Sequence, residues 1–389
     1  MKPGSIVYRI PQLRMPLGHS PEDLGRKITR LLGIGAADLL GYAIERRSFD
    51  ARDRNDIKVV YSIAAELAGT LAKKPPESIA GVVVPEPGYS FPAGALPLES
   101  RPIVVGCGPA GLFCALLLAE NGYRPLVLER GDDVDARGRA VSSLLDDGIL
   151  DPESNVQFGE GGAGTYSDGK LNTTVTDDSA RNRKVLDEFV EAGAPPEISY
   201  SNKPHIGTDY LVEVVKALRR KIEALGGEVR FRTRVDSLVL SGGRVTGVVL
   251  ADGGRLDSGT VVLAVGHSAR DTFRYLAEAG VAMERKPFAI GLRIEHPQEM
   301  VSRRQYGESW RHPDLPVADY KLTYRSSSGR GVYTFCMCPG GYVINSSSET
   351  GLVACNGMSD FARNSRNANS AVVVTVRPED FAASGAASG

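Results

Sequence analysis

Residues 103–131 read IVVGCGPAGLFCALLLAENGYRPLVLERG. A short apolar strand leads into a glycine-rich turn, an apolar helix follows, and a second strand ends at Glu129. Gly106 permits the tight turn, Gly108 lets the backbone approach a pyrophosphate, and Gly111 lets the helix pack against the strand. An acid about 20 residues after the turn suits a ribose hydroxyl. The stretch predicts a dinucleotide site; the alternative is a plain turn of a parallel sheet.

The helix that follows the turn begins with unpaired N–H groups, which favour phosphate. One helix end contributes only about 0.3–2 kcal/mol per charge, so tight binding needs contacts elsewhere in the chain. The residues that this stretch assigns to cofactor binding are Gly106, Gly108, Pro109, Ala110, Gly111, Glu129 and Arg130.

Composition narrows the class of protein. A chain of 389 residues is long enough for two or three domains, and a net charge of −1 gives no reason to expect nucleic acid or an anionic membrane as a partner. Five cysteines, an odd count without framework spacing, indicate a reducing compartment. The most apolar segment, residues 112–119, is far shorter than the ~20 residues that span a bilayer. We therefore expect a cytoplasmic protein.

Turn and proline signals divide the chain into five parts. Residues 1–72 predict a small β-α-β-β unit whose helix starts at Ser20 and stops at Gly33. The charged residues of this unit leave two interpretations open, an anion site or a solvated hairpin: Arg46, Arg47, Asp50 and Arg52. The other parts are a proline-rich linker over 73–101 with an edge strand over 79–84, a large domain over 102–282, a β-rich domain over 283–377 and an unstructured tail over 378–389.

A second glycine-rich stretch, residues 158–171, reads FGEGGAGTYSDGKL. Glycines at this density let the backbone lie against a ligand, and successive N–H groups in such turns bind anions. A flexible surface loop is the alternative. The residues predicted to line the ligand are Gly161, Gly162, Gly164, Thr165, Ser167 and Lys170.

Short strands over residues 234–240, 244–251 and 255–256, joined by glycine turns, predict a β-meander that returns to the sheet over 260–265. This order resembles that of glutathione-reductase-type flavoproteins. The resemblance implies FAD in the first site, with Val235 beside the adenine and Gly266 at the end of the return strand. A simple Rossmann dehydrogenase with NAD(P) in that site is the alternative.

Residues 336–341 read CMCPGG. Cys336 and Cys338 allow three interpretations: buried structural cysteines, a redox pair, or a metal site that would need His296 or His312 as a further ligand. The structural interpretation is favoured, and no metal site is expected. His296 follows a predicted strand and could transfer protons, although a structural histidine is the default.

Nearly the whole chain resembles the bacterial FAD-dependent dehydrogenases described as NAD(FAD)-utilizing. The matching segments are residues 46–52, 106–111, 158–171, 203–209, 264–272, 288–298, 335–341 and 356–359. The resemblance implies noncovalent FAD and oxidoreductase activity but no substrate. Family members continue past residue 389, so a C-terminally truncated chain with weakened FAD binding is expected.

Together these features predict an α/β protein with a glutathione-reductase-like FAD-binding Rossmann domain with a β-meander, a β-rich substrate or cap domain and a small N-terminal α/β domain. The predicted function is hydride transfer through flavin N5 between a small-molecule substrate and FAD, with NAD(P)H as a further candidate donor. The alternatives are a flavoprotein with little activity and an NAD(P)-binding dehydrogenase. Lys170 could face the electron-rich edge of the flavin, and the catalytic candidates are Lys170, Cys336, Cys338 and His296.

Overall fold

The computed structural model describes residues 5–71, 79, 88–92, 94, 97–173 and 175–382. Most of the predicted proline-rich linker and of its edge strand lies outside these residues. The N-terminal unit has the predicted β-α-β-β order, and its three strands form an antiparallel sheet in the order β1-β3-β2. Its elements are β1 (Ile6–Pro16), α1 (Pro21–Leu32), β2 (Leu39–Asp50) and β3 (Lys58–Leu67).

Both predicted ends of α1 are confirmed. The Ser20 hydroxyl accepts a hydrogen bond from the Asp23 N–H at 3.2 Å, and the Asp23 carboxylate accepts one from the Ser20 N–H at 2.9 Å. This reciprocal pair satisfies two N–H groups that would otherwise lack partners. Gly33 ends the helix with φ 65°, a conformation that favours glycine.

The charged residues of β2 hold this unit against the large domain. The Arg47 N–H donates to the Tyr200 carbonyl at 2.7 Å, and the Arg47 carbonyl accepts from the Asn202 N–H at 2.9 Å. Arg46 donates to the Asn202 side chain, and Arg52 pairs with Asp50. Arg46 and Arg47 thus contact another part of the chain, while Arg46 remains exposed.

The large domain is built on a parallel sheet of four strands in the order β10-β4-β5-β6. Helix α2 packs against α5 and the sheet, where both helices bury their apolar residues in one core. The elements up to the third strand of this sheet along the chain are β4 (Ile103–Val105), α2 (Pro109–Glu120), β5 (Leu126–Leu128), α3 (Val134–Asp146), α4 (Arg181–Glu191), α5 (Thr208–Ala224) and β6 (Glu228–Arg230).

The predicted meander is confirmed as a separate antiparallel sheet in the order β7-β8-β9, after which the chain returns to the parallel sheet as β10. These strands are β7 (Val235–Ser241), β8 (Arg244–Leu250), β9 (Arg255–Asp257) and β10 (Val261–Leu263), and helix α6 (Arg270–Glu278) follows them. Helix α6 was not predicted from the sequence.

The region after residue 283 is rich in strands, as expected. Its main sheet is antiparallel in the order β11-β16-β13-β12, and β14 and β15 form a hairpin. The elements are β11 (Phe288–Pro297), α7 (Gln298–Tyr306), β12 (Thr323–Arg325), β13 (Gly331–Cys338), β14 (Tyr342–Asn345), β15 (Cys355–Met358), β16 (Asn367–Val376) and α8 (Pro378–Ala382). Helix α7 was not foreseen.

Two features of this region depart from expectation. Residues 378–382, assigned to an unstructured tail, form α8, because the Asp380 carboxylate pairs with Arg330 at 2.6 Å and accepts from the Arg377 N–H; residues 383–389 lie outside the described residues. One face of the main sheet is also exposed and apolar. We call it the outer apolar face, and it comprises Phe288, Ile290, Leu292, Ile294 and Tyr324. None of the helices among the described residues is long and apolar enough to span a membrane.

Candidate active site

A cavity of about 1120 Å³ lies at the carboxyl ends of β4, β5 and β10. Ligands of open α/β sheets bind at this edge, and the volume suits a large cofactor. The cavity is bordered by the β4–α2 turn, the end of β5, the start of β7, the end of β10, the second glycine-rich stretch and the loop between β14 and β15.

The β4–α2 turn has little room for side chains. Gly106 has φ 102°, and a Cβ there would lie 2.4 Å from the Ala264 carbonyl oxygen. A Cβ at Gly111 would lie 1.9 Å from the Gly106 carbonyl oxygen, so the helix can approach the strand only with glycine there. Gly108 precedes α2 and no side chain caps the helix, so its first N–H groups remain available to a ligand at the cavity.

Glu129 lines the cavity at the end of β5 and is only 4% exposed. Its carboxylate accepts hydrogen bonds from the N–H groups of Cys107 at 2.7 Å, Gly131 at 2.9 Å and Gly159 at 3.0 Å. The Glu129 carboxylate therefore joins the β4–α2 turn to the second glycine-rich stretch. The neighbouring Arg130 also lines the cavity and donates to Asp271 and Glu153.

The second glycine-rich stretch forms a short 3-10 helix over Gly162–Tyr166. Gly162 and Gly164 line the cavity, and a Cβ at Gly162 would lie 3.0 Å from the Gly108 Cα. The two glycine-rich segments thus meet across the cavity floor. Thr165 is buried, and its hydroxyl has no hydrogen-bond partner among the described residues.

A buried arginine that the sequence analysis missed holds this stretch in place. Arg137 is fully buried on α3 and donates to four carbonyl oxygens, those of Asn155, Val156, Glu160 and Gly162, at 2.6–2.9 Å. Burial lowers the pKa of its guanidinium to about 10, so it stays protonated near neutral pH. The helical spacing in the sequence indicates this burial, because Arg137 shares one face of α3 with the buried residues Val134, Val141 and Leu144.

The β14–β15 loop forms a further wall that the sequence did not reveal. Ser346, Leu352 and Asn356 line the cavity, and the Asn356 amide donates to the Tyr166 carbonyl at 3.4 Å. The Gln157 amide donates to the Ser346 carbonyl at 3.1 Å. The β14–β15 segment is therefore attached to the second glycine-rich stretch through Asn356 and to the residue just before that stretch through Ser346.

The predicted cofactor-binding residues divide into two groups. Those that line the cavity are Gly106, Gly108, Pro109, Ala110, Glu129, Arg130, Gly162, Gly164, Val235 and Gly266. Those that do not are Gly111, Gly161, Thr165, Ser167 and Lys170. Gly111 and Gly161 act through close packing, since a Cβ at Gly161 would lie 2.1 Å from the Thr165 hydroxyl. Ser167 is engaged by the Gly164 carbonyl and the Gly169 N–H.

The four catalytic candidates all lie outside the cavity wall. Lys170 does not line the cavity: its ammonium pairs with the buried Asp168 at 3.0 Å and donates to the Met337 carbonyl. Asp168 also binds Arg363, and although burial raises the pKa of its carboxyl, Arg363 and Lys170 outweigh this and hold the pKa below its usual range.

The structure brings Lys170 close to Cys336 and Cys338 but leaves His296 elsewhere. Neither ring nitrogen of His296 has a hydrogen-bond partner among the described residues, and its ring lies 5.4 Å from that of Tyr320. Burial lowers the pKa of this imidazole. Within the described part of the chain, no group of three or more His, Cys, Asp or Glu side chains could hold a metal ion.

Three family models match the chain. One described as "FAD-dependent protein, C-terminal domain-like" matches residues 287–389, and one described as "NAD(P)-binding Rossmann-like domain" matches residues 104–151. A domain of unknown function matches residues 8–66.

Among curated proteins, an uncharacterized protein of Clostridium beijerinckii is 46% identical over 384 residues, which cover 97% of this chain and 70% of that protein. Protein FixC of Escherichia coli K12 is 31% identical over 212 residues, 52% of this chain and 45% of FixC. The chain thus spans about half of FixC and somewhat more than two thirds of the clostridial relative.

Among solved structures, Thermovibrio ammonificans THI4 is 20% identical, with a TM-score of 0.29 over 47% of this chain and 64% of THI4. A TM-score this low does not establish a common overall fold. The clostridial relative and the FAD-dependent C-terminal domain lead to a plain conclusion: the chain belongs to a family of FAD-dependent oxidoreductases, and FAD is its cofactor.

Proposed function

We propose that the chain is a dehydrogenase that passes a hydride between a small-molecule substrate and FAD, with NADH or NADPH as an electron donor. The observation that carries the proposal is the single cavity that joins an uncapped helix N-terminus to a second glycine-rich wall. A phosphate-binding end and a wide, partly apolar end in one cavity suit a dinucleotide whose reactive ring needs an enclosed surface.

The residues of the cavity fit FAD. The amides after Gly108 would hold the pyrophosphate, Glu129 would bind the adenosine ribose, and Val235 would lie beside the adenine. A Cβ at Gly108 would lie 3.7 Å from the Gly162 Cα, so a large side chain there would fill the phosphate end. When bound, FAD supplies hydride chemistry at N5.

The chain's own residues position and enclose the reacting ring. Gly162 and Gly164 let the backbone lie close to the ligand, and Arg137 fixes that backbone through its carbonyl groups. The β14–β15 loop would limit access of water from the other side, since Ser346 and Asn356 line the same cavity. We assign no proton donor or acceptor, because the four catalytic candidates lie outside the cavity wall.

The first experiment is a visible absorption spectrum of the purified chain after addition of FAD and removal of free cofactor. The wild-type chain should retain a flavin spectrum. Gly108→Trp should lose it, while the matched control Gly259→Trp, at an exposed glycine with no atom within 4 Å of a Cβ, should keep it. Equal flavin retention in both variants would contradict the proposal that FAD binds in this cavity.

The second experiment adds NADH or NADPH to the flavin-loaded chain without oxygen. Bleaching of the flavin band by either nucleotide supports the proposed donor, and an unchanged spectrum with both contradicts it. A thermal shift with NADH or NADPH but none with FAD would instead favour a dehydrogenase that binds the nicotinamide nucleotide in the first site.

A further inference from the structure

Cys336 and Cys338 lie in a distorted part of β13. The pairing of β13 with β16 shifts register between Phe335 and Cys338, and Cys336 has φ 47°. A residue other than glycine in this left-handed region is strained, and such strain persists only where the surrounding structure enforces it. Strained residues cluster at functional sites, so the conformation of Cys336 calls for an explanation.

Tight packing enforces the distortion. A Cβ at Gly340 would lie 1.7 Å from the Arg363 carbonyl oxygen, and one at Gly341 would lie 2.3 Å from the Met358 carbonyl oxygen. The turn that follows the two cysteines therefore lies directly against the backbone of neighbouring segments. This close packing of the backbone after the cysteines supports the unusual conformation of Cys336.

The two cysteines contact each other. The Cys338 thiol donates to the Cys336 carbonyl oxygen, with its sulfur 3.3 Å from that oxygen, so the two residues are in direct contact. Cys338 is buried, whereas Cys336 is only partly buried. A partly accessible thiol beside a buried one is the arrangement of an attacking and a resolving cysteine.

Cationic groups surround the pair. Lys170 donates to the Met337 carbonyl between the two cysteines, and Arg293 donates to the Cys336 carbonyl at 3.2 Å and approaches the Cys338 sulfur at 4.0 Å. The neighbouring Cys338 thiol, together with Lys170 and Arg293, lowers the pKa of Cys336 below its usual range despite burial and the charge of Asp168. Cys336 therefore carries more thiolate near neutral pH than an ordinary cysteine.

The other cysteines lack this setting. Burial raises the pKa of Cys107 well above its usual range and also raises the pKa of Cys114. Cys355 is exposed at the cavity wall, so in the chain freed of FAD it provides an internal reference for an accessible thiol. A further polar group lies beside the pair: the Asn369 side chain is buried, its oxygen accepts from Arg293 at 2.5 Å, and its NH₂ has no partner among the described residues.

We propose that Cys336 and Cys338 form a reversible redox dithiol that is oxidised by hydroperoxides. The Cys336 thiolate attacks the peroxide oxygen, the O–O bond breaks, and hydroxide leaves and takes up a proton. The Cys338 sulfur then attacks the Cys336 sulfenic acid, the S–O bond breaks, and water leaves with the Cys338 proton. The sum is two thiols and one hydrogen peroxide giving one disulfide and two waters. A thiol reductant reverses it.

This site is separate from the proposed hydride transfer. Asn356 lines the cavity, but its neighbour Gly357 faces the other way: a Cβ there would lie 2.7 Å from the Cys338 sulfur. The dithiol thus lies behind the cavity wall, so its oxidation can be followed whether or not the chain transfers hydride.

The test begins with the wild-type chain and iodoacetamide near pH 7, with each cysteine followed by peptide mass spectrometry. A thiol of ordinary pKa, about 8.5, is only a few per cent thiolate at that pH. Cys336 should therefore react on the order of tenfold faster than Cys355. Lys170→Met should slow Cys336 and leave Cys355 unchanged. A Cys336 that reacts no faster than Cys355 in the wild-type chain overturns the proposal.

The second arm uses stoichiometric hydrogen peroxide. The wild-type chain and Cys355→Ser should lose two hydrogens within the peptide that holds Cys336 and Cys338, and dithiothreitol should restore them. Cys338→Ser should instead accumulate a sulfenic acid that dimedone captures at Cys336, and Cys336→Ser should give neither product. Preferential oxidation of Cys355, or no bond between Cys336 and Cys338, overturns the proposal.

Discussion

The Arg137 guanidinium donates to the Gly162 carbonyl oxygen at 2.9 Å, and this bond ties the buried face of α3 to the cavity wall. Three more carbonyl oxygens within residues 155–160 accept from the same group. One side chain thereby satisfies four acceptors, most of them in a segment without regular secondary structure. Such a segment owes its shape to these bonds.

Arg137→Met should therefore weaken both folding and FAD binding. Each buried carbonyl left without a donor costs about 1–3 kcal/mol, so the free energy of unfolding should fall by several kcal/mol. FAD affinity should fall by tenfold or more as the second glycine-rich wall loses its shape. Denaturant unfolding and a flavin fluorescence titration measure the two effects.

Arg139 provides the matched control, since it lies on the same helix but is exposed. Arg139→Met should change the free energy of unfolding by less than about 0.5 kcal/mol. The unfolding free energy of Arg137→Lys should lie between those of Arg137→Met and Arg139→Met. An ammonium keeps the positive charge but cannot donate to four acceptors as the planar guanidinium does. Wild-type FAD affinity in Arg137→Met would refute the role of this arginine.

Gly111→Ala should prevent FAD loading. The added Cβ would lie 1.9 Å from the Gly106 carbonyl oxygen, and a backbone atom cannot move aside without distorting the turn. The cost should be at least about 2 kcal/mol of unfolding free energy. Flavin content after purification and thermal unfolding measure it.

Gly25→Ala is the corresponding control on α1, where no atom lies within 4 Å of the added Cβ. Alanine is the better helix former, so this change should stabilise the chain by about 0.5–1 kcal/mol and leave flavin content unchanged. Similar behaviour of the two variants would mean that α2 does not need a close approach at Gly111.

Local signals in the sequence were sufficient for much of this architecture. The Gly106–Gly111 spacing predicted the β4–α2 turn, and the capping residue Ser20 predicted the start of α1, because each depends on neighbouring residues alone. The meander followed from its glycine turns. These features combine strand periodicity with turn chemistry, which single sequences carry well.

Contacts between distant segments were not predictable in this way. The local sequence around Lys170 does not show that its side chain already has a partner. That partner, Asp168, is buried and accepts hydrogen bonds from Ser359 and Arg363, which are distant in the sequence. The wall formed by the β14–β15 loop depends on a hydrogen bond from Asn356 to Tyr166, 190 positions away. No local pattern encodes such a pairing.

Asp168→Asn should remove an acid-sensitive contribution to stability. The pKa of the Asp168 carboxyl is held below its ordinary value of 3.8, so the wild-type chain binds fewer protons at this site when folded. Its contribution is present above that value and is lost as the pH falls through the lower, folded value. Breaking this buried ion pair should cost about 3–5 kcal/mol at neutral pH.

Denaturant unfolding between about pH 6 and pH 3 checks the predicted direction of this pH dependence. The difference in unfolding free energy between the wild type and Asp168→Asn should be largest at neutral pH and should shrink as the pH falls. Asp135→Asn is the control at an exposed carboxylate. A difference that stays constant over the whole range would show that the effect is steric rather than ionic.

Leu292→Lys should make the chain less adhesive without unfolding it. Leu292 is 79% exposed at the centre of the outer apolar face, so a charge there meets no desolvation cost and the unfolding free energy should change by less than about 0.5 kcal/mol. Contiguous exposed apolar surface promotes association, and binding of a hydrophobic dye and light scattering should both fall.

Val373→Lys is the contrasting variant, since Val373 is buried on the opposite face of the same sheet and a charge there should cost more than about 3 kcal/mol of unfolding free energy. Dye binding that is unchanged in Leu292→Lys would mean that this face is not the adhesive surface.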